Sequence, residues 1–399
     1  MTALADFVAL LACAGLLQCL LGLAAVRRFA RPGIIAAVDA SKQLPPVTIL
    51  KPLCGNEPLL EEALASCFSQ KYPAFQIVFG IQDPADPALE VVRRLRVRFP
   101  GSDTEVVVNP TIHGPNRKVS NLMNMLPSAK HDILVISDSD LHVPTNYLER
   151  LVAELAKPGT GLVTALYIGA LPAAKGWAAA LGATQISHHF LPGVLLSRAM
   201  GRQDCLGSTA MFRRDTLEHA GGFDTLVGFL AEDNLLGQRV RSLGLSIGLA
   251  EIVPAATVSE RSFSELWHHE IRWMRTIREL APVSLCASTI QYPLFWSTVT
   301  LALAAAPWSA TLFLVSWAMR AACARGIDQA LRHRAGRPAF ATPLWLLPLR
   351  DILSVIEIGA SFWLREVTWR GHRMRYSLPA ASPARTAGRA RRPPSSWWC

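Results

Sequence analysis

Charge is scarce in this chain. Only 18% of its 399 residues are Asp, Glu, Lys or Arg, against about 25% in an ordinary soluble domain. Acids are the scarcer sign: 30 Asp and Glu face 40 Lys and Arg, a net charge of +10. The 8 Cys are dispersed, and those at 54, 67, 205, 286 and 323 form no CxxC pair and no zinc-ligand spacing. That excludes a small disulfide scaffold and fits buried thiols in a reducing compartment. No internal repeat is present. What abounds is apolar: 51% of residues are hydrophobic and mean hydropathy is +0.26. A disordered protein would be hydrophobe-poor. An oily yet basic chain implies a membrane protein with a sizeable polar domain.

The oil and the charge are unevenly placed. Phe7 to Val26 carries no charge, and Arg27, Arg28 and Arg31 follow at once. A signal peptide carries its positive charge before the apolar run, so residues 1–31 read as a retained anchor. The positive-inside rule then places the N-terminus outside and the following domain, residues 45–279, in the cytoplasm. Leu280 to Met319 is a second uncharged run. Residues 280–320 read as a transmembrane hairpin turning at Ala306–Ser309, with Pro293 kinking the first arm. One span plus an interfacial segment is the alternative. A third stretch, 339–364, holds Arg350, Asp351 and Glu357, which must face protein or water, so it either spans or lies at the interface. From Arg365 onward there are eight Arg and one Glu, +7 of the +10. The surplus is therefore no nucleic-acid footprint but a tail attracted to anionic lipid. Its end, 383–399, is rich in Arg, Pro and Ser and reads as disordered.

The middle alternates strands with helices. VTIL before Lys51, QIVFGI (76–81), Thr104–Val108 and Ile133–Ile136 read as strands. Pro58–Ser69, Ala88–Arg98 and Ser120–Leu126 read as helices. This order predicts a largely parallel α/β sheet with helices on both faces, and such sheets bind ligands at strand C-termini. Two strands end on acids: Asp83 with Asp86, and Asp138 with Asp140.

Alternate residues leaving a strand point the same way, so Asp138 and Asp140 can face one point. Two hard oxygen donors suit Mg2+ or Mn2+, which would also hold a nucleotide diphosphate. The plain alternative is a solvated turn capping a helix. Asp83 and Asp86 can accept from a base or ribose, although for either alone a turn-capping role is the stronger reading. Lys118 can neutralise a phosphate or hold the strand-end acids, or be a surface lysine. Glu232 and Asp233 open a helix, where acids are favoured by the dipole; the chemical reading is a general base. His268-His269-Glu270 lacks the HExxH spacing, so zinc is rejected. Arg272 and Trp273 instead offer a cation for a diphosphate and an aromatic wall, or an interfacial belt. Gly207–Ala210, after Cys205, is a small-residue stretch that a substrate can approach closely. For His188 and His189 the plain reading is core or interface packing, and it is the stronger one for His189; His188 stays a candidate acceptor contact.

KPLCGNEPLLEEAL, QDPADPALEVV, NRKVSNLMNML, ISDSD, AGGFDTLVGFLAEDNLLG and HHEIRW occur in one order. Together they resemble the ceramide glucosyltransferase family of membrane glycosyltransferases, and within it the bacterial hopanoid biosynthesis-associated branch. The resemblance covers roughly Pro46 to Arg375. It implies a GT-A fold, a Rossmann-like, mostly parallel sheet, flanked by N- and C-terminal transmembrane helices. It also implies roles for residues. Asp86, with Asp83 beside it, would be the nucleotide-side aspartate. Asp138 and Asp140 would be the metal pair, Asp233 the catalytic base, and Arg272 and Trp273 the RW of the closing motif. His188 and Cys205 fall on matched positions. His269 departs, standing where the family usually has Gln or Arg.

The expected activity is inverting, metal-dependent sugar transfer from a UDP-sugar to a membrane lipid hydroxyl, since one base without an enzyme nucleophile implies a single displacement. The resemblance implies UDP-N-acetylglucosamine and a hopanoid polyol such as bacteriohopanetetrol, at a bacterial inner membrane; the Ala- and Arg-rich composition, which suggests a GC-rich genome, leans toward hopanoid over ceramide. UDP-glucose with ceramide is the first alternative. A polysaccharide synthase is the second, disfavoured by few hydrophobic segments. A non-catalytic membrane protein is the third.

Overall fold

The computed structural model describes residues 2–31, 44–171, 176–332, 343–363, 367–369 and 372–374. The tail expected to be disordered at 383–399 lies outside the described residues. After helix α1 (Thr2–Ala30) come β1 (Val47–Leu53), α2 (Leu60–Phe68), β2 (Phe75–Ile81), α3 (Ala88–Arg98), β3 (Thr104–Val108), α4 (Arg117–Met125) and β4 (Ile133–Ser137). Each lies where the apolar pattern put it. Helix α4 starts at Arg117 rather than Ser120 because Asn116 caps it, accepting from the Val119 N–H at 3.1 Å. Next come β5 (Leu141–His142), α5 (Tyr147–Leu155), β6 (Thr160–Ala165), β7 (Ile168–Ala170) and α6 (Trp177–Gln185). A π-turn over Ile186–Phe190 leads into α7 (Leu191–Ala199), followed by β8 (Thr209–Arg213), α8 (Arg214–His219), α9 (Glu232–Ser242), β9 (Ser246–Ala250) and β10 (Ala255–Thr257).

The main sheet runs β3-β2-β1-β4-β8-β6-β9. All its pairings are parallel except those of β8, which is antiparallel to β4 and β6. Alternate strand residues enter opposite cores. Ile49, Ile77 and Val135 pack on one face with Leu64, Val92 and Leu151. Leu50, Val78 and Leu134 pack on the other with Val119, Leu122 and Leu236. A sheet covered on both sides needs such continuous apolar runs. The chain leaves β1 toward β2 on one side and later returns to place β4 on the other. That reversal opens a crevice beyond the C-terminal ends of β1 and β4, where Lys51 and Asp138 stand.

The C-terminal region holds α10 (Phe263–Leu280), α11 (Pro282–Ala287), α12 (Pro293–Ala304), α13 (Pro307–Leu331) and α14 (Leu347–Trp363). Pro293 does not kink a helix; it opens α12 at its first position, where a missing N–H costs nothing. The chain turns at Ala305, with φ 44°, just ahead of Pro307. With 12 residues, α12 reaches about 18 Å, short of the ~30 Å hydrocarbon core. Among the described residues, α1 is the one helix long and apolar enough to cross a membrane.

These helices are inside out. Ser297, Thr300, Ser316, Arg350, Asp351, Ser354, Glu357 and Ser361 are fully buried. Leu314, Leu349, Ile356 and Trp363 are 60%, 45%, 50% and 80% exposed. The charges of the third apolar stretch therefore face protein. The expectation of buried thiols holds for Cys67, Cys205 and Cys323, whereas Cys54 and Cys286 are exposed.

Candidate active site

Four segments converge on the crevice. The Asp138 N–H donates to the Ser208 carbonyl at 3.1 Å, docking the strand-end turn on the small-residue stretch. From the first turn of α4, Lys118 Nζ reaches Asp138 Oδ1 at 2.7 Å and Glu232 Oε1 at 3.3 Å. Asn116 Nδ2 donates to Glu232 Oε2 at 3.0 Å, tying the α4 cap to the start of α9. Lys51 Nζ donates to the Asp138 carbonyl, and Ser139 Oγ donates to Glu57 Oε2 at 2.9 Å. Lys118, Gly207, Phe223, Glu232 and Asp233 line a pocket here.

The charges are crowded by burial. Burial pushes the Asp233 carboxyl up to about 7; the Glu232 carboxylate adds to this and the Lys118 ammonium opposes it. Burial likewise takes Asp140 to about 7, reinforced by Asp138 and Glu57 and opposed by Lys51. For Lys118, burial alone would favour the neutral amine, but the carboxylates of Asp138 and Glu232 outweigh it and hold the ammonium above its usual range. Two carboxyls poised near neutrality beside a fixed cation is the arrangement expected of acid–base and ion-binding groups.

Gly207 is required by conformation and by space. Its φ is +73°, and a Cβ there would lie 2.5 Å from Asp233 Oδ2. Gly207→Ala is expected to lower stability by about 1 kcal/mol from backbone strain and any activity of this site at least tenfold, because the Asp233 carboxyl must move. Thermal melting and a rate assay on one preparation check both.

The other expected residues fall into three places. Asp86 accepts from the N–H groups of Gly55 (2.8 and 3.0 Å) and Ala88 (2.8 Å). Asp83 is exposed and accepts from the Ala85 N–H at 2.9 Å. Both therefore make the turn-capping contacts that sequence reasoning favoured for each alone. The Gly55–Glu57 segment nonetheless joins Asp86 to Ser139. On α10, His269 bonds Glu260 and meets the Trp273 ring edge-on at 4.6 Å. Burial favours the neutral acid at Glu260, but His269 outweighs this and holds it low. Cys205 is a buried thiol pushed up to about 12 by burial, so it is packing rather than a nucleophile. His188, in the π-turn, faces Asp328 of α13 at 2.7 Å, in a separate polar cluster with His189.

Sequence reasoning missed Lys51, Glu57, Asn116 and Tyr167. Lys51 and Tyr167 stand near strand ends, a signal applied only to acids. Burial raises the Tyr167 phenol; Asp140, Asp138 and Asp233 add to this, while Arg272 pulls it down. Tyr167 thus sits in the field of both the acids and the RW motif.

Residues 7–378 match glycosyl transferase family 21. Ceramide glucosyltransferase 3 of Caenorhabditis elegans is 24% identical over 258 residues, 64% of this chain and 55% of that protein. The ceramide glucosyltransferase of Candida albicans is 34% identical over 121 residues, 27% of this chain and 22% of that one. The chain thus spans about half the length, or less, of these curated relatives. A solved mannosyltransferase from Pyrobaculum calidifontis, in complex with GDP-Man and Mn2+, superposes with TM-score 0.50 at 20% identity. It covers 90% of this chain and 99% of its own. The fold is GT-A-like, as expected.

Proposed function

The chain belongs to glycosyl transferase family 21, and from that premise we propose that it moves glucose from UDP-glucose to the hydroxyl of a ceramide-like membrane lipid. The observation that carries the transferase reading is Asp233, a buried carboxyl pushed up to about 7 against the bare backbone of Gly207. The ceramide glucosyltransferases among the relatives favour ceramide over the hopanoid pair expected from sequence.

In this reading Asp233 takes the proton of the acceptor hydroxyl as its oxygen attacks the anomeric carbon. The bond to the UDP oxygen breaks on the opposite face, giving inversion. Arg272 neutralises the departing diphosphate, with Trp273 beside it. Asp86 and Asp83 lie on the nucleotide side. Among the described residues no group of three or more His, Cys, Asp and Glu side chains forms a complete metal cage. Asp138 and Asp140 nonetheless fit a divalent cation, because crowding with Glu57 leaves negative charge that a cation would relieve. Mg2+ is commonly held by one or two carboxylates plus substrate phosphates. Bound there, Mg2+ or Mn2+ would supply charge neutralisation to the diphosphate. The solved mannosyltransferase complex contains Mn2+ with its nucleotide sugar.

The bilayer would cover α1 and the outer faces of α12, α13 and α14. The inside-out pattern supports this, since lipid rewards apolar residues outside and polar residues satisfied within. An acceptor could then present its hydroxyl without leaving the membrane.

The test incubates the detergent-solubilised chain with radiolabelled UDP-glucose or UDP-N-acetylglucosamine, each with ceramide or bacteriohopanetetrol. Labelled glucosylceramide is expected. Label on the hopanoid alone overturns the acceptor assignment, a polymeric product overturns lipid glycosylation, and no product with any pair overturns the transferase reading.

A further inference from the structure

Helix α10 carries Arg272 into the field of Tyr167, which the acids also reach, and, two residues earlier, Glu270. At ~100° per residue these side chains leave the helix on nearly opposite sides. Glu270 is buried and meets Arg350 of α14. Arg350 Nη1 donates to both Glu270 oxygens, at 2.9 and 2.8 Å. Its Nη2 donates to Glu357 at 2.6 Å, and its Nε donates to Ser354 Oγ at 3.1 Å. Ser354 in turn donates to Gln185 of α6 at 3.1 Å. The next residue, Asp351, accepts from the Leu294 N–H at 3.1 Å and stands 3.2 Å from His189 Nε2. One turn of α14 therefore joins α10, α6, α12 and the π-turn.

We infer that Arg350 is a positioning residue for donor binding: its Nη1 on both Glu270 oxygens, with Nη2 and Nε held by Glu357 and Ser354, fixes the rotation and register of α10, and so the place of Arg272 at the diphosphate. This rests on the reading that Arg272 contacts the donor. A fully buried ion triad is a poor source of stability, since apolar side chains of similar volume often serve as well. What it supplies is specification. The outer face of α14 is apolar, with Leu349, Ile356 and Phe362 exposed. Where the surroundings of a helix are as oily as its interface, apolar packing gives little preference for one rotation over another. A planar guanidinium with Nη1 on Glu270, Nη2 on Glu357 and Nε on Ser354 is satisfied in one geometry only. A rotation of α10 that breaks the pair also moves Arg272 relative to Tyr167 and Glu260.

Arg350→Met alone strands two buried carboxylates and can fail to fold. The informative variant is therefore Glu270→Gln/Arg350→Met/Glu357→Gln, beside Arg350→Lys, which keeps the charge and loses the fork. Both are measured as full chains in detergent. The expected result is at least a tenfold rise in KM for the UDP-sugar in the triple variant, and a smaller rise in Arg350→Lys. KM for the lipid acceptor stays within twofold. A donor KM within twofold of wild type in the triple variant overturns the inference, as does an equal rise in both KM values. Arg272→Ala separates the two claims. If it raises donor KM and the triple variant does not, the lock is wrong. If it leaves donor KM unchanged, the assignment of Arg272 to the donor is wrong.

Discussion

Asp233→Asn is expected to slow sugar transfer by about 10²–10⁴-fold, the usual worth of a general base, while UDP affinity changes by less than threefold. The substitution keeps shape and burial and removes only the ability to take a proton. A rate assay paired with calorimetric UDP titration separates the two effects. Burial, with Glu232 adding to it, lifts this carboxyl from 3.8 to about 7. The ionised form is the base, so kcat/KM should fall about tenfold per pH unit below 7 and level off above it. That acid limb should vanish in the residual activity of the variant. The sign for stability is opposite to that of an ordinary ion-paired carboxylate. The folded state holds this proton more tightly than the unfolded chain does, so ionising Asp233 costs stability as pH rises from about 4 through 7. Asp233→Asn should therefore melt no lower than wild type at pH 8. A lower melting point there would mean that the carboxylate serves structure.

The second large effect concerns the strand-end pair. Asp140→Asn, or Asp138→Asn, is expected to abolish the enhancement of UDP binding by Mn2+ and to cut kcat/KM at least 100-fold. Chelation of the wild type should have the same consequence, reversed by adding Mn2+ or Mg2+. The reason is charge. Asp138, Asp140 and Glu57 crowd one end of the sheet, and the cations Lys51 and Lys118 offset only part of that repulsion. A diphosphate adds further negative charge and needs a bridging cation to approach. Removing one carboxylate removes half of the protein's hold on that cation. Equal UDP affinity with and without Mn2+ in the wild type would refute the metal pair.

Much of the α/β domain was legible residue by residue. The strands of the parallel half read as apolar runs because both sheet faces are covered, and their acidic ends stood out against that background. The second half was harder. Strand β8, which reverses the pairing, carries no mark of its direction. The π-turn at 186–190 and the inside-out helices resist periodicity reasoning, which assumes that polar residues face water. Stretch 339–364 illustrates the failure. Arg350, Asp351 and Glu357 look like interruptions of a span, but Arg350 meets Glu270 and Asp351 meets Leu294, both far along the chain, and Glu357 meets Arg350.

Local pattern alone determined the long apolar helix with Arg27 and Arg28 in its last turn, the strand–helix alternation, and the placing of Asp138 and Asp140 at a strand end. Each depends on spacing within a dozen residues, which hydrophobic burial converts directly into geometry. Tertiary structure decided which acids share a site. Lys118 meets Glu232, and Asp233 meets Gly207, only because α4, α9 and the 205–210 segment close on one crevice. It also decided that Asp233 is poised near neutrality and that Arg350 holds α10. Burial and the proximity of distant charges set those properties, and neither is a property of any one segment.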